Sequence, residues 1–167
     1  KYNLPEDSFV FGCFASNYKI TPKEFDVWMR ILRKVPKSIL WILQSNSDAM
    51  KNLRYEANLR GIDESRIIFA QNIPLEEHII RQKCANLLLD TFNYNSSTIT
   101  FLALSNGLPV LTIKGKSAPA KLSSNKLNSI GLKELISSNE KDYEYKACEI
   151  ALNKAKLTNI NKKLKES

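Results

Sequence analysis

Residues 87–115, LLLDTFNYNSSTITFLALSNGLPVLTIKG, constrain the fold of this chain more than any other stretch. Leu87, Leu88 and Leu89 form a short apolar run of the kind seen in a strand covered on both faces. The run stops at Asp90, and a loop rich in Asn, Ser and Thr follows. Ser97 or Thr98 can cap the helix that the pattern opens there. Gly107 supplies a left-handed helix stop. Pro109 opens the next strand at a position where its missing N–H is tolerated. A strand that runs through small polar residues into a helix N-terminus points unpaired amides and the positive end of the helix dipole at one loop. The pattern predicts a parallel α/β sheet with a seat for a phosphorylated ligand.

The same alternation extends along the chain. Residues 9–14 (FVFGCF), 38–43 (SILWIL), 66–70 (RIIFA), 87–89 and 110–113 read as five strands. The first helix is announced by Thr21 as N-cap and Pro22 at the first helical position, and Pro36 terminates it. Its residues Phe25, Trp28, Met29 and Leu32 recur at helical spacing and are expected to face the sheet. A second helix is expected over 48–60 with Gly61 as its stop, and a short one opens at Pro74. Another spans 98–105, and residues 123–130, 132–137 and 142–156 also read as helical. Strands and helices in units of about 30 residues specify a mainly parallel sheet with right-handed crossovers. Ligands of such sheets gather beyond the carboxyl ends of the strands. The loops to watch are therefore 15–20, 44–47, 71–74, 90–98 and 114–118.

With 167 residues the chain suffices for one core, expected over 4–152 and followed by a basic helix or tail over 153–167. No apolar run approaches the ~20 residues needed to span a bilayer, and residues 1–5 do not read as a signal peptide. Cys13, Cys84 and Cys148 lie far apart without C-x-x-C spacing, which argues against a disulfide framework or a zinc site and fits a reducing, cytoplasmic compartment. No acidic pair stands at ligand spacing, so no metal is expected. The net charge is +8. Much of that excess sits after Asn153 as Lys154, Lys156, Lys162, Lys163 and Lys165, without interleaved aromatics. A solvated helix face or frayed tail explains it better than a nucleic-acid surface.

Six segments in order, LPEDSFVFGCF, YKITP, ILWIL, RIIFAQNIPLEEH, LLLDTFNYN and NGLPVLT, resemble the C-terminal half of the SPINDLY / O-linked N-acetylglucosamine transferase catalytic region. The likeness covers roughly residues 4–146. It implies a Rossmann-like α/β domain, the C-terminal domain of a GT-B fold in which two such domains face each other. It also implies transfer of a sugar from a nucleotide donor to Ser or Thr hydroxyls of proteins. The family's N-terminal catalytic half and tetratricopeptide repeats are not in this sequence, and both are implied as partners.

The resemblance assigns residues. Lys19 matches the family lysine at the donor diphosphate, where a compact cation offsets charge developing on the leaving group. His78, the only histidine, matches a histidine near the base and ribose. Asn95, Ser96, Ser97 and Thr98 fall where the family holds the diphosphate through loop backbone and hydroxyls. Arg81 and Lys83 could lean toward ligand or solvent, and Asp90 is read as an anchor for loop N–H groups. There are departures. Ser97, Thr98 and Ile99 replace the usual His-Thr-Thr run, and Leu102 stands where the family has an acid for the ribose hydroxyls. Ala15 and Ser16 replace an Asn-Gln pair, and Lys121 stands where an Arg is common. Three lost hydrogen bonds at ~1 kcal/mol each would weaken nucleotide binding roughly a hundredfold.

The expected role is the donor-binding domain of a protein O-glycosyltransferase. UDP-N-acetylglucosamine is the first choice of donor and GDP-fucose the second, with no further cofactor, and the chain alone is expected to be inactive. The alternative is a degenerate transferase-like domain that serves as a protein-interaction module.

Overall fold

The computed structural model describes residues 2–167. Six strands form one sheet in the order β3-β2-β1-β4-β5-β6, and every pairing is parallel. They are β1 Phe9–Cys13, β2 Ser38–Leu43, β3 Ile67–Ala70, β4 Leu87–Leu89, β5 Val110–Ile113 and β6 Ile136–Ser137. The helices are α1 Pro22–Lys34, α2 Ser47–Leu59, α3 Leu75–Arg81, α4 Ser97–Ser105, α5 Leu122–Ser129, α6 Glu140–Leu152 and α7 Lys154–Glu166. No helix of the described residues is long and apolar enough to cross a membrane.

The strands are buried because both faces of the sheet are covered, as their near-continuous apolar sequences require. Phe25, Trp28, Met29 and Leu32 of α1 are all buried, as their spacing predicts. Trp28 Nε1 donates to the Tyr143 hydroxyl at 3.2 Å. That hydroxyl donates to the Asp90 carbonyl, also at 3.2 Å. One buried chain of hydrogen bonds thus joins α1, α6 and the end of β4.

Two expectations need correction. Residues 132–137 are not a helix but a single 3-10 turn, Lys133–Leu135, leading into β6. Leu132, Leu135 and Ile136 mimic helical spacing because the turn places Leu132 and Leu135 in the core while Ile136 already pairs with Thr112. The helix expected over 142–156 is two helices. Asn153 leaves the helical region (φ −124°, ψ 95°) and its side chain accepts from the Lys156 amide at 3.2 Å, capping α7. Of the two readings of the basic segment, helix or tail, the helix is the one formed: Ile160 and Leu164 of α7 are buried, and Lys156 and Lys163 pair with Glu149 and Glu134.

The strand order reverses direction at β1 and β4. The chain leaves β1 toward β2 and leaves β4 toward β5, so the loops after these two strands part and open a crevice. Ligands of wound sheets bind at such a switch point. Lys19 lies on one of the two loops and residues 95–98 lie at the end of the other.

Candidate functional site

Lys19 closes a 3-10 turn, Asn17–Lys19, between β1 and α1. Its Nζ lies 3.4 Å from Ser96 Oγ and 4.6 Å from the centre of the Tyr94 ring. Two segments 77 residues apart in sequence therefore meet at the crevice. Lys19, residues 94–99 and Leu122 line a cleft of about 240 Å³ there. Larger hollows lie elsewhere, such as one of about 730 Å³ beside Phe9, Lys37 and Asn86, at the amino ends of the strands.

The helix leaving this cleft is α4, and its N-cap is Ser96 rather than Ser97 or Thr98. No side chain caps it. The first helical bond runs from the Thr100 amide to the Ser96 carbonyl at 2.8 Å, so the amides of Ser97, Thr98 and Ile99 point out of the N-terminus. Ser97 and Thr98 are exposed. An ammonium on one side and helix-start amides on the other suit an anion with several oxygens.

The polar residues behind the cleft serve the frame. Asn95 is buried, its amide nitrogen donates to the Thr91 carbonyl at 2.8 Å, and its oxygen accepts from the Ser123 amide at 3.2 Å. Its side chain is committed to the loop, leaving Ser96, Ser97 and Thr98 to face the cleft. Asp90 is buried. Its carboxylate accepts from the amides of Thr91 at 3.0 Å and Ser96 at 3.4 Å, and from Thr112 Oγ1 at 2.9 Å. The reading of Asp90 as a loop anchor therefore holds. Burial pushes its carboxyl up to about 6, an effect that the accepted hydrogen bonds partly offset.

Gly115, after β5, supports the same frame. Its amide donates to the Ala120 carbonyl at 3.0 Å, and a Cβ added there would fall 2.2 Å from the Ala120 Cβ. The neighbouring Pro119 carbonyl accepts from the Asn95 amide at 3.1 Å. The close approach admits only glycine.

His78 does not line the Lys19 cleft. It sits half-buried on α3, edge-on to Phe14 with ring centres 5.0 Å apart. Arg81 Nε donates to its Nδ1 at 2.9 Å. Burial, then the nearby guanidinium, push its pKa below the ordinary histidine range, so the ring is neutral at pH 7. The alternatives left open for Arg81 and Lys83 separate here. Arg81 is 2% exposed, with Phe14 and Trp41 rings 5.8 and 5.9 Å from its guanidinium carbon, whereas Lys83 faces solvent.

Two further contributors lie outside the residues that the resemblance assigns. Tyr94 lies against the Lys19 ammonium although nothing in its position announces this. Glu24 is fully buried, and its carboxylate accepts from the Thr21 amide at 3.0 Å and from the Phe92 amide at 2.9 Å. Its signal was present as Thr21-x-x-Glu24, a capping-box pattern. Among the described residues no three His, Cys, Asp or Glu side chains cluster in a way that could hold a metal ion.

A wholly parallel sheet in 3-2-1-4-5-6 order, with an anion-suited crevice at its switch point, defines a Rossmann-like domain of the kind found in GT-B glycosyltransferases. The sequence profile described as Glycosyl transferase family 41 matches residues 1–167, and the chain belongs to that family. It is 34% identical over 164 residues to a Caenorhabditis elegans UDP-N-acetylglucosamine–peptide N-acetylglucosaminyltransferase, covering 98% of this chain and 14% of that protein. Identity is also 34% over 167 residues to the Arabidopsis thaliana protein named "Probable UDP-N-acetylglucosamine–peptide N-acetylglucosaminyltransferase SEC", with coverages of 99% and 17%. A solved structure of an O-GlcNAc transferase mutant from Thermobaculum terrenum superposes with a TM-score of 0.91 at 25% identity, over 99% of this chain and 34% of that one. The chain thus spans a small part of the length of each.

Proposed function

We propose that this chain is the donor-binding domain of a protein O-glycosyltransferase, and that the switch-point crevice holds the diphosphate of a nucleotide sugar. The observation that carries the reading is the meeting of Lys19 with the uncapped start of α4. A diphosphate would accept from the Ser97, Thr98 and Ile99 amides and from the Ser96–Thr98 hydroxyls. Lys19 would offset the charge that grows on it as the anomeric bond breaks. His78 and its buried partner Arg81 would bound the nucleoside end. The relatives' names, UDP-N-acetylglucosamine–peptide N-acetylglucosaminyltransferases, favour UDP-N-acetylglucosamine over GDP-fucose as donor and a polypeptide as acceptor; Ser or Thr hydroxyls are the acceptor groups we propose. The group that activates the acceptor would come from a second, N-terminal half, so the chain alone binds donor without transferring it. A reducing cytoplasmic setting accords with three free cysteines.

Calorimetry with UDP-N-acetylglucosamine and GDP-fucose tests this. Binding at millimolar Kd or tighter, a free energy of about −4 kcal/mol or better, weakened by about 10- to 100-fold in Lys19→Ala, is the expected result. The competing reading is a fold kept as an interaction module, which the apolar Ile99 and Leu122 in the cleft favour. It predicts no nucleotide binding, even when the chain is joined to its N-terminal half.

A further inference from the structure

Glu24 does more than a helix cap requires. A capping box uses one carboxylate oxygen at the start of its own helix, and such a cap sits comfortably in solvent. Here the carboxylate is 0% exposed. Oε2 accepts from the Thr21 amide at 3.0 Å and from the Thr21 hydroxyl. Oε1 reaches across 68 residues of sequence to accept from the Phe92 amide at 2.9 Å. Burying a carboxylate is costly unless its lone pairs are used, and three donors use them here. The two ends of this bridge are telling. Thr21 follows Lys19 by two residues and Phe92 precedes Ser96 by four. The bridge therefore spans the two loops whose tips form the crevice.

We propose that Glu24 is a positioning residue of the donor site: it clamps the loop after β1 to the loop after β4 and so fixes the separation between the Lys19 ammonium and the α4 amides. The role rests on the donor-site reading above. It works with Asp90, which braces the second loop from within through the Thr91 and Ser96 amides. Without the clamp each loop keeps its own fold, but one diphosphate no longer meets both sets of donors at once.

The test is a double-mutant cycle on UDP-N-acetylglucosamine affinity, with hydrogen exchange at the Phe92 amide as a structural readout. In Glu24→Gln the amide group turns a donor toward one of the two N–H groups, so one arm of the bridge breaks. Affinity is expected to fall roughly tenfold in a background that has Lys19, and not to fall further once Lys19 is Ala. Exchange should speed up at whichever of the Thr21 and Phe92 amides loses its acceptor, and at Phe92 in Glu24→Asp, whose shorter side chain cannot reach it. Should Glu24→Gln fail to fold, Glu24→Asp keeps the cap and withdraws the reach to Phe92, and the same pattern is expected. Unchanged affinity with a released Phe92 amide would overturn the role. So would losses that add in full in the double variant, the mark of a merely structural effect. Absence of binding by the unaltered chain, with Phe92 protected, would remove the donor site itself and the positioning role with it. Binding that depends on Lys19 but not on Glu24 would remove the positioning role alone.

Discussion

Two corners at the carboxyl end of the sheet, both entered from the end of β1, are built from opposite materials. In the crevice between β1 and β4 the frame is hydrogen bonds. Asp90, Asn95 and Glu24 turn inward and saturate themselves on backbone amides and carbonyls, while Lys19 and the start of α4 face outward. In the corner formed by α3 the frame is aromatic. Arg81 lies buried between Phe14 and Trp41 and donates to His78. The first corner offers net positive charge and unpaired amides, which suits phosphate oxygens. The second offers a neutral ring edge over apolar walls, which suits a flat group. The contrast shows that candidate polar residues in one loop divide by direction. Those with satisfied side chains hold the loop, and the proposed diphosphate seat is left to backbone amides and to the groups without such partners.

The largest expected effect strikes the first corner only. Gly115→Ala forces a Cβ against the Cβ and carbonyl of Ala120 and should lower unfolding stability by about 3 kcal/mol. A denaturant titration would show it as a lower midpoint. Nucleotide affinity should fall with it, because Pro119 holds Asn95. An unchanged midpoint would mean that the crevice frame is looser than its contacts suggest.

Asp90 gives the next effect, of about 2–3 kcal/mol. Its folded pKa, raised to about 6 from 3.8, means that the folded state binds more protons than the unfolded state between these values. Stability contributed by this group therefore rises as pH falls from about 6 to about 4, the reverse of a salt-bridged carboxylate. The unfolding free energy of the wild-type chain, measured against Asp90→Asn from pH 7 to pH 4, should move in favour of wild type. A flat difference would contradict a buried carboxylate whose charged form is disfavoured at the crevice. At the α3 corner His78 takes up its proton at a lower pH than an ordinary histidine, because burial and then the Arg81 guanidinium disfavour the charged ring.

Lys19→Ala should weaken UDP-N-acetylglucosamine binding by about 10- to 100-fold, the loss of a charge-assisted contact. Thermal stability should scarcely change, for this half-exposed side chain makes only a long 3.4 Å contact to Ser96 Oγ and an approach to the exposed Tyr94 ring. His78→Ala should cost less, about threefold, through lost ring contact with Phe14. Calorimetry on both variants ranks the two corners. A larger loss at His78 than at Lys19 would invert the assignment of charge chemistry to the crevice.

Much of this was legible beforehand. The three-leucine strand, the Asn/Ser/Thr loop and the Gly107 stop in 87–115 specify strand, polar turn and helix by local rules. Alternation along the chain does the same for four of the other five strands. Missed features all depended on partners remote in sequence. β6 is two residues long, and only β5 makes Ile136 and Ser137 a strand. Asn153 breaks a helical pattern because α7 has core to cover at Ile160 and Leu164. At the site, Lys19 and the 95–98 turn could be named from the sequence. Their roles could not be divided, because Asn95 looks like a ligand residue until Ser123 and Thr91 are seen to occupy it. Glu24 looks like an ordinary cap until Phe92 is found on its other oxygen.

The central claim is that α4 amides and one ammonium grip a diphosphate at the switch point. Titration of the labelled chain with UDP-N-acetylglucosamine, followed through backbone amide resonances, reads it directly. The account predicts the largest saturable shifts at Ser97, Thr98 and Ile99, with Lys19 close behind and smaller shifts around His78. Saturable shifts confined to other surfaces, or none at millimolar ligand, would contradict it.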